Sequence, residues 1–274
     1  MNLEIPEFQK KTDLFDFLVE NKSTLINQKK ATIKHADAFS YLMHPSNDKT
    51  FSTKADQVIG ADANKLFVRA VINTTGILDS HSDVHIKGLW KKSLSETVDN
   101  YLCAEHNFTF KGIISDEVEA YTKSMSFKSL GFSQWDDNTE ALIYDSIVYK
   151  DRNPYMFEQY AKKRVKNHSV GMRYVKLYMC INYKEYREEY ENWEKYIDSV
   201  VNRDAAEDKG YFWAVTEAKN IEGSAVVKGS NFVTPTLITQ EKSEPPTSTR
   251  LYTEPSTDTQ KMEALKRLLQ LTKI

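Results

Sequence analysis

The chain has 274 residues, 40% of them hydrophobic and 12% aromatic, with a formal net charge of −2. This length allows one large domain with extensions or two small domains, and the near-zero charge gives no indication of nucleic-acid binding. No apolar stretch approaches the roughly 20 residues of a membrane span, and the first residues lack a basic segment followed by an apolar run, so we expect a cytosolic protein without a membrane partner. The two cysteines, Cys103 and Cys180, are expected to be reduced, buried thiols.

Residues 1–63 are polar and lysine-rich, and we interpret them as an N-terminal extension. Apolar residues at helical spacing predict one short helix around Leu14 and Leu18 and a second around Leu25. Two interpretations stay open for this segment. It is either an ordinary N-terminal subdomain or a part of the chain that binds an assembly or is removed by cleavage.

Residues 64–238 carry the patterns of a domain with both helices and strands. Alternating apolar residues predict a half-buried strand through Leu66, Val68, Ala70 and Ile72. Other strands are predicted near residues 102, 113–114, 117–127, 141–149, 170–182, 212–216 and 221–227. Helices are predicted over residues 89–98, 154–166 and 184–202, the second of them capped by Asn153.

Residues 239–274 form the last predicted region. The part from 239 to 259 is rich in Pro, Ser, Thr and Glu, which is typical of a disordered linker. An amphipathic helix with an apolar face follows, formed by Met262, Leu265, Leu268 and Leu269. This helix is predicted either to dock on a partner or to fold back on its own domain.

Three short segments contain residues that could form a serine nucleophile system. They contain His106, Ser169 and Glu222, respectively. A serine hydroxyl needs an adjacent base to attack a carbonyl, a histidine titrates near neutral pH, and a carboxylate in an apolar strand can orient and charge the imidazole. The spacings of 63 (169 − 106) and 53 (222 − 169) residues mean that the three can meet only through the fold.

The order of five motifs resembles that of the prohead proteases of tailed phages, which are related in fold to the assembly proteases of herpesviruses. The motifs lie within residues 64–238. They are an Asp79-x-x-x-Asp83 turn, a Gly88-Leu89-Trp90 helix start, His106, a Ser169-x-Gly171-Met172 strand, and a closing Glu222-x-Ser224-x-Val226 strand followed by Asn231.

This resemblance implies an α+β fold with a mostly antiparallel, closed β-barrel surrounded by helices. It also implies a serine endopeptidase that cleaves the scaffold protein and the arm of the major capsid protein inside the immature phage head in the host cytoplasm, with self-cleavage. Neither a cofactor nor nucleic acid is implied, and a homo-oligomer is compatible with the resemblance.

Under the same interpretation, Ser169 is the nucleophile, His106 the general base and Glu222 the third catalytic residue. Asp116 and His168 are rivals for the role of Glu222. Main-chain N–H groups near Val170 and Gly171 are candidates for the oxyanion hole.

Two alternatives belong to other classes of protein. The first is a non-catalytic capsid-assembly or scaffold protein that retains the barrel. The second is a metal-dependent hydrolase, because His81, Asp83 and His85 at two-residue steps would share one face of a strand.

Overall fold

The computed structural model describes residues 3–33 and 63–241. Residues up to Glu241 cluster as one unit, and the last strand extends three residues beyond the predicted boundary at 238. The predicted linker from residue 242 onward and the predicted C-terminal helix lie outside the described residues. None of the described helices is long and apolar enough to cross a membrane.

Two helices precede the sheets, α1 (Lys11–Glu20) and α2 (Lys22–Ala31). Their apolar residues Phe15, Leu18 and Leu25 are buried in the main hydrophobic core. The described part of the predicted N-terminal extension therefore packs against the strands.

The described chain contains nine strands. In chain order they are β1 (Lys65–Thr74), β2 (Asp83–His85), β3 (Leu102–Ala104), β4 (Ile113–Ser115), β5 (Glu117–Ser126), β6 (Asn138–Tyr149), β7 (Asn167–Ile181), β8 (Tyr211–Val226) and β9 (Thr236–Glu241). Four further α-helices are α3 (Lys91–Glu96), α4 (Pro154–Ala161), α5 (Arg187–Tyr196) and α6 (Arg203–Lys209).

The first sheet is antiparallel and has the order β5-β6-β1-β9. The predicted alternation in β1 is confirmed, because Leu66, Val68, Ala70 and Ile72 are all buried in the main core. β5 stands at one edge, and many of its side chains are exposed or half-buried.

The second sheet is organised around β8, which pairs with β7 in the antiparallel sense along most of its length. On its other side β8 pairs in the parallel sense with β2 at its start and with β3 near its end, and β4 extends the sheet beyond β3. The sequence predicted two strands here. The polar run from Glu217 to Asn220, which looked like a connection, continues the pairing with β7.

The prediction of a mostly antiparallel closed β-barrel is wrong, although the fold is α+β. A closed barrel requires every edge strand to be paired with a neighbour. Within residues 63–241, β5 pairs only with β6, and β9 pairs only with β1. A single bridge between Asn167 and Pro235 links β7 to the residues just before β9, which is too little to close the sheets. The parallel pairs of β8 also make the second sheet mixed.

The helix α4 begins as the sequence predicts and ends earlier. The side chain of Asn153 accepts a hydrogen bond from the Met156 amide at 3.1 Å, and Pro154 occupies the first turn. The helix stops at Ala161 instead of residue 166, because Lys163 adopts a left-handed conformation with φ 53°. The chain then enters β7 at Asn167, before the predicted start of the strand at residue 170, so Ser169 lies inside the strand.

A buried ion pair attaches α2 to the second sheet. Lys29 Nζ lies 2.5 Å from Oδ1 of Asp83, whose side chain is fully buried in β2. Tyr174 donates its hydroxyl hydrogen to Oδ2 of Asp83 at 2.7 Å, and Lys29 Nζ also lies 5.4 Å from the centre of the Trp213 ring. A buried carboxylate is costly without such partners, so this contact holds the N-terminal helices in place.

We predict that Lys29→Ala lowers the free energy of unfolding by about 3 kcal/mol, because it removes the cation from a buried carboxylate. Lys30→Ala, one position along the same helix, is the matched control and is expected to change stability by less than about 0.5 kcal/mol. Urea denaturation of the full chain measures both. Equal effects of the two substitutions would show that the ion pair does not stabilise the fold.

Candidate active site

The candidate site is built on the paired strands β7 and β8. Ser169 lies opposite Ser224, and Gly171 lies opposite Glu222. Since residues two positions apart in a strand share a face and directly opposed residues point the same way, all four positions lie on one face of the sheet. The fold thus brings Ser169 and Glu222 together from positions 53 residues apart (222 − 169).

Gly171 leaves the space that the Glu222 side chain fills. A Cβ atom at position 171 would lie only 2.1 Å from Oε1 of Glu222. Any side chain at position 171 would therefore displace the carboxylate. This contact gives a physical reason for the Ser-x-Gly spacing in the sequence.

His106 follows β3, which pairs with β8 on the side opposite to β7. Glu105 and His106 both have left-handed backbone conformations, with φ 50° and 57°. Such conformations cost about 1–3 kcal/mol each in residues other than glycine and persist only where the surroundings enforce them. Here the Glu105 amide donates to the Ala225 carbonyl at 2.9 Å, which fixes the turn against the end of β8.

His106 and Glu222 form a close contact. Nδ1 of His106 lies 2.6 Å from Oε1 of Glu222, and the two side chains are only 8% and 1% exposed. Ser224 donates its hydroxyl hydrogen to Oε2 of Glu222 at 2.6 Å and accepts the His106 main-chain N–H at 3.0 Å. Both carboxylate oxygens are therefore engaged, and the imidazole is held by its ring and by its backbone.

Burial and the Glu222 carboxylate raise the pKa values of neighbouring groups. Burial, together with the negative charge of Glu222, raises the pKa of the Cys103 thiol to about 12. Burial likewise raises the pKa of the Tyr144 hydroxyl, which accepts a hydrogen bond from Asn220 at 2.6 Å. The thiol therefore stays protonated at neutral pH and does not compete as a nucleophile.

Ser169 is 7% exposed and lies one strand away from Ser224. Directly opposed Cβ atoms in such a pair are about 4.5–5.5 Å apart, so Ser169 lies close to the residues that hold His106. The hydrogen bonds described for His106 go to the Glu222 carboxylate and the Ser224 hydroxyl. The structure thus brings Glu222 into contact with His106 and places Ser169 on the same face of the sheet as Glu222.

Asp116 and His168, the alternative candidates for the third catalytic residue, do not lie beside Glu222 on its strand face. The carboxylate of Asp116 is half exposed and lies 3.3 Å from the guanidinium of Arg152. His168 points to the opposite face from Ser169, since neighbouring residues in a strand alternate. Its side chain is fully buried, with Nε2 2.9 Å from the Tyr160 hydroxyl.

The predicted oxyanion donors are constrained by strand pairing. The His168 amide donates to the Thr234 carbonyl, on the side of β7 away from β8. By alternation along the strand, the Val170 N–H points the same way and the Gly171 N–H points towards β8. The Gly171 N–H therefore belongs to the ladder, and Val170 is the remaining candidate of the two.

The residues of the metal-site alternative are engaged with other groups. Asp83 binds Lys29 and Tyr174. Nδ1 of His85 lies 2.9 Å from the side-chain amide of Asn73. Within residues 3–33 and 63–241, no group of three His, Cys, Asp or Glu residues is arranged to hold a metal ion.

Comparison with known proteins finds no matching family model, no similar curated protein and no similar solved structure. The site geometry and the sequence motifs are therefore the basis for inferring function.

Sequence analysis missed the part played by Ser224. The signal was present in the Glu-x-Ser spacing of the last motif, because two residues separated by one position in a strand share a face. A serine next to a carboxylate on that face can donate to it.

We predict that Gly171→Ala lowers the free energy of unfolding by about 1–3 kcal/mol, because the added methyl group overlaps the Glu222 carboxylate. The double variant Gly171→Ala with Glu222→Ala serves as the control, since removing the carboxylate relieves the overlap. A double-mutant cycle measured by urea denaturation should give a coupling of at least about 1 kcal/mol. Additive effects would contradict this packing.

His168 predicts a pH dependence of stability. Burial lowers its pKa from 6.5 to about 4. The unfolded chain therefore takes up a proton below pH 6.5 that the folded chain excludes until about pH 4. The stabilising effect is complete above pH 6.5 and is lost as the pH falls towards 4, a change of about 3 kcal/mol.

The measurement compares the wild type with His168→Gln in urea denaturation between pH 7 and pH 4. The wild type should lose about 3 kcal/mol relative to the variant over this range. Other titrating groups, such as Asp79, whose pKa burial raises to about 6, occur in both chains and cancel in the difference. A difference that does not change with pH would show that His168 titrates normally in the folded chain.

Proposed function

We propose that this chain is a serine endopeptidase, with Ser169 as nucleophile, His106 as general base and Glu222 as the residue that orients His106. The buried 2.6 Å contact between His106 Nδ1 and Glu222 Oε1 carries the proposal, because Ser169 shares the strand face of Glu222. A histidine paired with a buried carboxylate next to a serine is the arrangement needed for acyl transfer.

In the proposed mechanism, the Glu222 contact keeps the proton of the neutral imidazole on Nδ1. Nε2 then accepts the hydroxyl proton as Ser169 Oγ attacks the peptide carbonyl, and Glu222 stabilises the imidazolium that forms. His106 next donates the proton to the leaving amine, and water releases the acyl group from Ser169. The transfer requires Oγ and Nε2 about 2.6–3.2 Å apart, and contacts of this kind are often long in free enzymes and tighten with substrate.

We further propose that the substrates are capsid-assembly proteins, namely the scaffold and the arm of the major capsid protein, together with the chain itself. The support is the order of the five motifs within residues 64–238. Two of those motifs supply the serine strand and the carboxylate strand of the candidate site. In this proposal, cleavage takes place inside the immature phage head in the host cytoplasm.

A second candidate is a non-catalytic capsid-assembly protein with the same fold. The observation that favours it is that His106, Glu222 and Ser224 bond to one another in a buried cluster, which is also what a purely structural role requires. In that case the buried His106–Glu222 pair would only stabilise the end of β8.

We predict that a fluorophosphonate probe labels Ser169 in the wild-type chain and that Ser169→Ala abolishes both the labelling and any self-cleavage. Only a serine activated by a base reacts rapidly with such probes. Mass spectrometry of the digested adduct identifies the labelled residue, and gel analysis of the incubated full chain detects self-cleavage. Ser95→Ala, at an exposed serine outside the site, is the control.

The second arm of this experiment tests the role of the Glu222 carboxylate. Glu222→Gln keeps the shape of the side chain and removes its charge, and an equivalent change in other serine proteases costs about 10⁴-fold in rate. Asp116→Asn is the matched control, expected to stay within a few-fold of wild type. If Ser169 is not labelled and fragments are identical in the wild type and Ser169→Ala, the non-catalytic candidate is correct.

A further inference from the structure

A groove of about 630 Å³ lies beside the candidate active site. One side is formed by Ala225 and Val226 at the end of β8, by Val227 directly after it, and by Asn167 at the start of β7. The residues on either side of His106, which are Glu105 and Asn107, line it as well. Asn167 lies on the same strand face as Ser169, two residues before it, so the groove begins about 7 Å along the strand from the proposed nucleophile.

The charges around this groove are unbalanced. Lys111, Arg164 and Lys166 line it, against the single acidic residue Glu105. All three basic residues are exposed, and none forms an ion pair with a described residue. The chain as a whole has slightly more acidic than basic residues, 39 against 37, so the positive charge here is a local feature.

The groove also exposes apolar side chains. Val227 is 78% exposed and Tyr155 is 71% exposed, and both line the groove. Single exposed apolar residues are common, but two in one concave, positively charged site indicate a surface that contacts another chain. An extended peptide fits such a surface, because it offers apolar and charged side chains at regular steps of about 3.4 Å.

We propose that this groove, called here the basic groove, binds an acidic side chain of the peptide substrate about two to four residues from the cleaved bond. The inference rests on the proposed endopeptidase function. It adds that the charges of Lys111, Arg164 and Lys166 select substrates that carry Asp or Glu at these positions. Opposite charges within about 4–6 Å attract, and the attraction weakens with added salt.

The cleavage test uses the full chain and a library of peptides from a bacterial proteome digest, with the products identified by mass spectrometry. The wild type is expected to enrich Asp and Glu about five- to tenfold at one or two positions near the cleaved bond. The variant Lys111→Glu/Arg164→Glu/Lys166→Glu should lose this preference and favour Lys and Arg instead. A control with the same change in charge, Lys87→Glu/Lys91→Glu/Lys123→Glu, alters exposed lysines outside the groove and should keep the acidic preference.

The binding test does not depend on catalysis. It uses Ser169→Ala and a fluorescein-labelled copy of residues 242–259 of this chain, which contains Glu244, Glu254 and Asp258. Fluorescence anisotropy compares this peptide with a version in which the three acidic residues are replaced by their amides. The acidic peptide should bind about tenfold more tightly at 50 mM salt than the amide version, and the groove variant should remove that difference.

The outcomes separate the two proposals. Cleavage without acidic preference, or a preference that the groove variant leaves unchanged, contradicts the proposed role of the basic groove and leaves the endopeptidase proposal standing. Charge-dependent binding without any cleavage that requires Ser169 overturns the endopeptidase and keeps the groove as a site for acidic peptides. Equal binding of the acidic and amide peptides together with no cleavage overturns both.

Discussion

The buried carboxylate of Glu222 is the constraint on which the candidate site depends. A carboxylate that is 1% exposed is stable only if hydrogen-bond donors surround it. Ser224 and His106 provide them, and Gly171 provides the space. The left-handed turn at Glu105 and His106 follows the end of β3, and the imidazole of His106 reaches Glu222 on β8 from this turn.

The strand β8 is central to the second sheet, because it pairs with neighbouring strands on both sides. Its start pairs with β2, whose Asp83 binds the N-terminal helices through Lys29, and its end pairs with β3, which leads to His106. Its other side carries β7 and Ser169. The contacts of the N-terminal helices and those of the candidate site are therefore made along a single strand.

Local patterns in the sequence predicted local features well. The alternation in β1 and the Asn153 cap of α4 depend on neighbouring residues only, and both are present. Local patterns could not show that the described sheets stay open, because closure depends on which edge strands meet. The continuity of β8 was hidden because three of the four residues from 217 to 220 are polar, which is unusual inside a buried strand. The fold accommodates them through contacts with distant residues: Glu217 forms ion pairs with Lys92 and Lys176, and Asn220 donates to the Tyr144 hydroxyl. Motif order placed Glu222 in the group with His106 and Ser169, whereas the part of Ser224 became visible only from distances.

The wide separation of these residues along the chain has a consequence for biosynthesis. His106 contacts Glu222 across 116 residues, and Ser169 faces Ser224 across 55. Pairings between distant segments form late and slowly, because loop entropy opposes them until the whole segment is available. The nascent chain therefore carries its serine and histidine through synthesis without the carboxylate. The constellation is completed only when β8 leaves the ribosome and inserts between β3 and β7.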